Sequence, residues 1–217
     1  MASSDTKEFS HSNTRLASSM HPIRLQNIQP QDAAGFAQVI AADNGKPPMD
    51  LDRARASIER INGNAATPSV LSTADGKRLS GPGSVNLLVV ESKDGGAEGE
   101  YEVIGLSGFG AIKTLEKDGK KVSAGDAGVV LVSKYRGKGY AVEAMKLSID
   151  WALRSLEEGG LQLDLVTITT RSDNEAMTRL TDEKLGLKGK SIIRDGEFSD
   201  KEIYWEITPQ EWQALGA

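Results

Sequence analysis

Apolar residues recur along the chain with two periods, and the switches between them mark the elements. Ile23 and Leu25 alternate with Arg24 and Gln26, which predicts a short strand opening after Pro22. Gln29-Pro30-Gln31-Asp32 then opens a helix with Phe36, Val39 and Ile40 near its apolar face. A proline suits a first helical turn, where its missing N–H would have had no partner. Pro47-Pro48 interrupts the chain, and Leu51, Ala54, Ile58 and Ile61 follow at helical spacing. Residues 63–100 are rich in glycine and polar side chains and read as loops around one strand, Val85 to Val90. Tyr101 to Ile112 predicts another strand, loosened by Gly105, Gly108 and Gly110. Leu115 to Gly125 reads as a charged connection with a turn at Lys117-Asp118-Gly119. Asp126 to Val132 is apolar on both faces, which predicts a central position in its sheet.

A helix with Val142, Met145, Ile149, Leu153 and Leu156 on one face follows, ending at Gly159-Gly160. Between strand and helix lies Arg136-Gly137-Lys138-Gly139-Tyr140-Ala141. The first N–H groups of a helix have no internal partner and carry the positive end of its dipole. Glycines let that backbone approach an anion closely, so this order of elements predicts a phosphate cradle. It is not a nucleotide P-loop, because G-x-x-x-x-G-K-[ST] is absent. Leu161 to Thr170 predicts the next strand. Ser172-Asp173-Asn174-Glu175 reads as a capping box for a helix running to Leu185, with Gly186 as its left-handed exit. Lys190 to Arg194 and Glu202 to Ile207 predict a closing hairpin. Thr208-Pro209-Gln210-Glu211 is a second capping box, with Ile207 and Trp212 at staple spacing.

Composition narrows the chemistry. A hydrophobic fraction of 38% over 217 residues supports a core without disulfides. The chain has no cysteine, which excludes disulfides, thiolate zinc sites and cysteine nucleophiles. Its only histidines, His11 and His21, fall in a Ser/Thr/Asn-rich N-terminal segment. We read residues 1–21 as a disordered tail and residues 22–217 as a single domain, so neither a histidine base in the core nor a metal site is expected. The net charge of −5 argues against a nucleic-acid partner. No stretch is long enough to span a bilayer and no secretory h-region is present, so no membrane partner and a cytoplasmic location are expected.

Arg136 to Ala141 matches the R/Q-x-x-G-x-G/A motif of the GNAT superfamily of acyl-CoA N-acyltransferases, which the chain resembles. The stretch from Asp126-Ala127-Gly128 to Ala144 is similar to its RimJ/RimL-like branch. So are Asn174-Glu175-Ala176 through Glu183-Lys184-Leu185-Gly186-Leu187, and the opening from Ile23 to Asp32. The resemblance covers residues 22–207. It implies an α/β fold of the α+β type: a mixed, mostly antiparallel sheet with a splayed central bulge, flanked by helices. It implies acetyl-CoA as the acyl donor, no metal, and a primary amine as acceptor, either a protein N-terminus or a small molecule. The amine would attack directly in a ternary complex, in a monomer or a homodimer. Val130, Leu131 and Val132 would offer backbone groups to the thioester and pantetheine. Arg136, Gly137, Lys138, Gly139, Tyr140 and Ala141 would bind the pyrophosphate, mainly through N–H groups. Asn174 would hydrogen-bond the pantetheine arm or a catalytic water, or else only cap its helix.

The chain departs from the family pattern at two positions. Asp182 stands where many members have a tyrosine acid for the leaving thiolate, and Met177 where many RimL-like proteins have a serine. An alkylamine has a pKa near ~10 and arrives protonated, so a base must accept its proton. Asp126 is the base candidate; its alternative is a solvated strand-end carboxylate. An unpaired N–H near Leu131 or Val132 would hold the oxyanion. Glu143 reads as a favourable charge at a helix N-terminus. Lys138 reads as a contact to the coenzyme 3′-phosphate or as a solvated lysine, and Tyr135 and Tyr140 as coenzyme contacts or exposed residues. The reversed glycine spacing at Gly105, Gly108 and Gly110 reads as backbone flexibility, and Met145, Trp151 and Trp205 read as core. The glycine-rich segment and the Pro47-Pro48 loop would shape the acceptor side. A non-catalytic acyl-CoA-binding or sensing module is the main alternative function, and a nucleotide-binding protein a weaker one.

Overall fold

A computed structural model describes residues 5–93, 99–196 and 199–216, with the backbone only at Asn44. In chain order its elements are β1 (Thr6–Phe9), β2 (Arg15–Ala17), β3 (Ile23–Asn27), α1 (Ala33–Asn44), α2 (Leu51–Ala65), β4 (Ser69–Ser72), β5 (Arg78–Ser80), β6 (Val85–Ser92), β7 (Tyr101–Lys117), β8 (Lys120–Leu131), α3 (Tyr140–Leu153), β9 (Leu165–Arg171), α4 (Glu175–Arg179), β10 (Ile192–Asp195), β11 (Lys201–Ile207) and α5 (Pro209–Ala214). Eight strands form one sheet in the order β10-β11-β9-β8-β7-β6-β3-β2, and β1-β4-β5 form a second, three-stranded one. Every recorded pairing is antiparallel except β8 with β9. The expected mixed, mostly antiparallel fold is therefore present.

The large sheet is covered on both faces because its inner strands alternate between two cores. Val85, Leu87 and Val89 of β6 face a core containing Met145, Ile149, Trp151, Trp205 and Trp212. Leu88 and Val90 face the other way, onto Ile28, Phe36, Ala54 and Ile58. Helix α3 thus covers one face and α1 with α2 the other. The second capping box forms as read: Thr208 accepts from Glu211 N–H while the Glu211 carboxylate accepts from Thr208 N–H. It holds α5 so that Trp212 Nε1 donates to Asp150 of α3 at 2.5 Å.

One parting in the sheet creates the site. β8 runs parallel to β9 only where Ala124, Gly125 and Asp126 face Leu165, Val166 and Thr167. Beyond Asp126, β8 continues to Leu131 paired only with β7, while β9 continues to Arg171 paired with β11. The register of β7 against β8 also shifts between Phe109 and Ala111. β8 is central, but it is not buried throughout. Ala127 and Leu131 are buried, whereas Val129 and Val130 are half-buried because they wall the opening.

Several expectations need correction. The N-terminal segment is not a disordered tail over its described residues. β1 pairs with β4 and β2 with β3, and His11 is buried with Nε2 2.8 Å from Ser69 Oγ. Residues 1–4 lie outside the described part. The region read as loops around one strand also contains β4 and β5. The charged connection is the end of a β7–β8 hairpin, with Lys117 opposite Lys120 across an Asp118-Gly119 turn. Ser172 does not cap α4; Asn174 does, and a wide π-type turn over Leu180–Lys184 replaces the helix's second half. Two of the β7 glycines, Gly105 and Gly108, provide space, and Gly108 also adopts a φ of 118° that side-chain-bearing residues rarely take. A Cβ on Gly105 would stand 2.4 Å from Val130 O, and one on Gly108 2.4 Å from Val85 O.

Candidate active site

The strand parting opens into two adjoining cavities. The larger, about 650 Å³, is walled by Val129 to Leu131, the glycine turn, the start of α3 and one side of α4. The smaller, about 310 Å³, is walled by Ser107, Gly108, Gly110, Asp126 to Val130, Thr169 and Thr170. Both include Asp43, Val129, Val130, Asn174 and Met177, so they meet where β8 and β9 separate.

At the far end of the larger cavity the backbone is arranged for an anion. Gly137 and Gly139 have φ of 77° and 84°, which side-chain-bearing residues rarely adopt. Gly139 is the N-cap of α3, and Glu143 N–H is the first to bond back, to Gly139 O at 3.2 Å. The N–H groups of residues 137–142 meet no acceptor among the described residues. Arg136 Nε donates to Leu131 O at 3.0 Å and ties the turn to the strand it leaves. Arg179 and Lys184, from α4 and the π-type turn, face the same cavity.

The tyrosines beside this turn are not surface residues, and Tyr140 lines the larger cavity. Tyr135 and Tyr140 are buried. Tyr140 donates to Glu91 at 2.6 Å, and that bond together with burial pushes its hydroxyl up to about 12. The Lys138 ammonium lies 5.1 Å and 5.7 Å from the two tyrosine ring centres. His21 stands beside the turn with its ring edge-on to Tyr140, and Ser18 donates to Glu143 of α3. The N-terminal segment therefore packs on the start of α3.

Asp126 forms the floor of the smaller cavity. Its Oδ1 accepts from Thr167 at 2.9 Å and from Thr169 at 2.8 Å, and no described group donates to Oδ2. Burial pushes the carboxyl above the ordinary carboxylate range. The two threonine hydroxyls and Arg194 oppose that shift, and Glu202 adds to it. Asn174 is engaged within the fold. Its carboxamide oxygen accepts from Met177 N–H at 3.2 Å and its nitrogen donates to Thr170 Oγ1 at 2.9 Å. Asp182 accepts from Trp205 Nε1 at 2.9 Å, so the residue in the family's tyrosine position is a structural anchor here.

Sequence reading missed three cavity-lining residues, Asp43, Arg179 and Lys184. Arg179 and Lys184 lie in the segment matched to the second motif, where two cations five residues apart were a usable signal. Asp43 gave none, because only long-range packing brings it to the cleft.

A family model described as an acetyltransferase (GNAT) domain matches residues 23–188. A sequence comparison with curated proteins returned no match. Among solved structures, RimL, a ribosomal-protein alpha-N-acetyltransferase in complex with coenzyme A, has a TM-score of 0.57 at 12% identity, over 91% of this chain and 99% of that one. RimJ of Mycobacterium smegmatis, in complex with a CoA-disulfide, gives 0.55 at 15% identity, over 96% and 89%. The microcin C7 self-immunity acetyltransferase MccE, in complex with acetyl-CoA and AMP, gives 0.55 at 13% identity, over 86% and 92%. At these identities the likeness is one of fold. The chain belongs to the GNAT acetyltransferase family, the class that moves an acetyl group from acetyl-CoA to an amine nitrogen. Among the described residues no helix is long and apolar enough to cross a membrane.

Proposed function

We propose that this protein acetylates a primary amine, a small molecule or a polypeptide N-terminus, by direct attack on acetyl-CoA within a ternary complex. The reading rests on one observation: a cavity ending in unpartnered amides meets a cavity floored by a carboxylate where β8 and β9 part. The amides of residues 137–142, with Arg136, Arg179 and Lys184, would receive the coenzyme's phosphates, as an exposed helix N-terminus favours anions. The pantetheine arm would run along Val130, Leu131 and Val132 and set the thioester at the junction. Lys138 would act through its backbone, its ammonium being drawn over the tyrosines. Tyr140 and Ala141 would contribute N–H groups, and Asn174 would shape the wall as a cap.

The acceptor amine would enter from the Asp126 side. The ammonium first gives up one proton to solvent, and its neutral nitrogen then attacks the thioester carbon, forming the C–N bond. Its proton passes to Asp126, directly or through water, and the oxyanion is held by a backbone N–H of β8 at the parting. Collapse breaks the C–S bond and releases CoA thiolate, which takes a proton from solvent. Asp126 suits the base role because burial raises its affinity for a proton and Oδ2 has no competing donor. Holding both reactants at one junction makes the reaction effectively intramolecular.

The test is thiol release from acetyl-CoA across a panel of primary amines and N-terminal peptides. The proposal requires amine-dependent release with acetylated acceptor as product. Coenzyme binding with no transfer to any acceptor would instead favour a sensing module.

A further inference from the structure

We propose that the N-terminal segment braces the coenzyme cradle, with Ser18 and His21 as positioning residues that keep the free amides of residues 137–142 in their anion-binding arrangement. The inference rests on the reading of that turn as the seat of the acetyl-CoA phosphates. Neither residue lines the larger cavity, so each acts through the turn. Both precede the stretch matched to the family, which begins at residue 23.

The turn needs holding. Gly137 and Gly139 both have positive φ, and glycine samples either sign of φ freely. Amides that bind an anion gain from being fixed beforehand, because ordering them on binding costs affinity. The entry to the turn is fixed by Arg136 Nε on Leu131 O at 3.0 Å. The exit meets the N-terminal segment. A Cβ built on Gly139 would stand 3.3 Å from His21 Nε2, so the imidazole abuts the N-cap of α3. The same ring is edge-on to Tyr140, the first residue of α3, with centroids 5.4 Å apart.

Ser18 has the more specific role. Its hydroxyl accepts from the N–H groups of Met20 at 3.0 Å and His21 at 2.9 Å, and it donates to Glu143 Oε1 at 2.5 Å. A serine hydroxyl has one proton and two lone pairs, so its capacity is filled. One side chain thus fixes the backbone of His21 and the carboxylate of Glu143 together. Glu143 lies in the first turn of α3. A glutamate near a helix start can reach back to the free amides, where it would compete with a phosphate. Bonded to Ser18, this carboxylate caps none of the amides of residues 137–142. Removing the Ser18 hydroxyl loosens the brace and releases the competitor at once.

Because brace and coenzyme favour the same arrangement of the turn, each strengthens the other by the same factor. Calorimetric titration of acetyl-CoA into wild type and Ser18→Ala measures one direction. Binding should weaken about three- to tenfold in the variant, the order of one net hydrogen bond. Loss of folded protein lowers the stoichiometry and not the affinity, so a merely structural role leaves Kd unmoved. Amide hydrogen exchange of the wild-type protein measures the other direction and needs no variant to fold. Saturating acetyl-CoA should slow exchange at Ser18, Met20 and His21, whose N–H groups bond to Ile23 O and Ser18 Oγ. Equal Kd in wild type and Ser18→Ala, or exchange at these amides unaltered by acetyl-CoA, overturns the brace and leaves the cradle standing. No saturable binding of acetyl-CoA to the wild-type protein overturns both.

Discussion

Thr169 donates its hydroxyl to Asp126 Oδ1 at 2.8 Å from two residues beyond the last rung on which their strands pair. Thr167, on that last rung, donates to the same oxygen. Two threonines of one strand thus grip the carboxylate of its neighbour at the vertex where the strands part. The grip fixes Oδ1, and no described group donates to Oδ2. Burial at the vertex raises the carboxyl's proton affinity more than the two hydroxyls lower it.

Asp126→Asn keeps an acceptor for both threonines and removes the base. We expect kcat/KM for the amine to fall by about 10²–10⁴-fold. In the wild-type protein the acidic limb of the rate profile should lie above the ordinary aspartate value of ~3.9, because the folded-state pKa is raised. Stability should move the opposite way. A group with a raised folded pKa stabilises the fold when protonated, and that stabilisation is lost as pH rises through the raised value. The variant should therefore melt higher than wild type at neutral pH, with the difference closing below the ordinary aspartate range. Unchanged turnover in the variant would remove Asp126 from the reaction.

Gly105→Ala places a Cβ 2.4 Å from both Val130 O and Leu131 Cδ2, on the strand that walls the larger cavity. The carbonyl belongs to the backbone and cannot swing aside, so β8 must shift. A loss of about 1–3 kcal/mol is expected by denaturant titration, with weaker acetyl-CoA binding. Gly110→Ala meets nothing within 4 Å and should lose far less. Equal losses at the two positions would show that conformational freedom, not space, is what these glycines provide.

His11 ties the N-terminal strand to the fold. Burial, with Arg78 nearby, lowers its pKa to about 4. The unfolded value is near ~6.5, so the folded protein favours the neutral ring. The resulting stabilisation is complete above ~6.5 and is lost as pH falls towards about 4. Melting temperature followed across this window should drop more steeply in wild type than in His11→Gln. Parallel curves would contradict the assignment.

The parts legible in the sequence are those whose signal is local. The glycine turn, the amphipathic α3, the Thr208 capping box and the β10–β11 hairpin each carry their own spacing. What stayed hidden depends on distant partners. Thr6–Phe9 and Arg15–Ala17 are short and largely exposed, and they become strands only against β4 and β3. The far end of the β7–β8 hairpin is largely exposed and charged, so no alternation marks it. Asn174 was legible as a helix start, yet only coordinates show both ends of its carboxamide engaged within the fold. Asp126 stood out because it begins an apolar run that leads into a recognisable turn and because the family often has a carboxylate there, whereas Asp43, which lines both cavities, sits in an ordinary helix end.

The central claim is that the amides from Gly137 to Val142 hold the diphosphate of acetyl-CoA. Calorimetric titration of acetyl-CoA into the wild-type protein and into Gly139→Glu tests it most directly. Gly139 has φ of 84°, and a carboxylate there would place like charge on the phosphate seat. Saturable binding by wild type, lost in a variant that keeps its cooperative melt, is the predicted result. Equal affinity in both proteins would contradict the account.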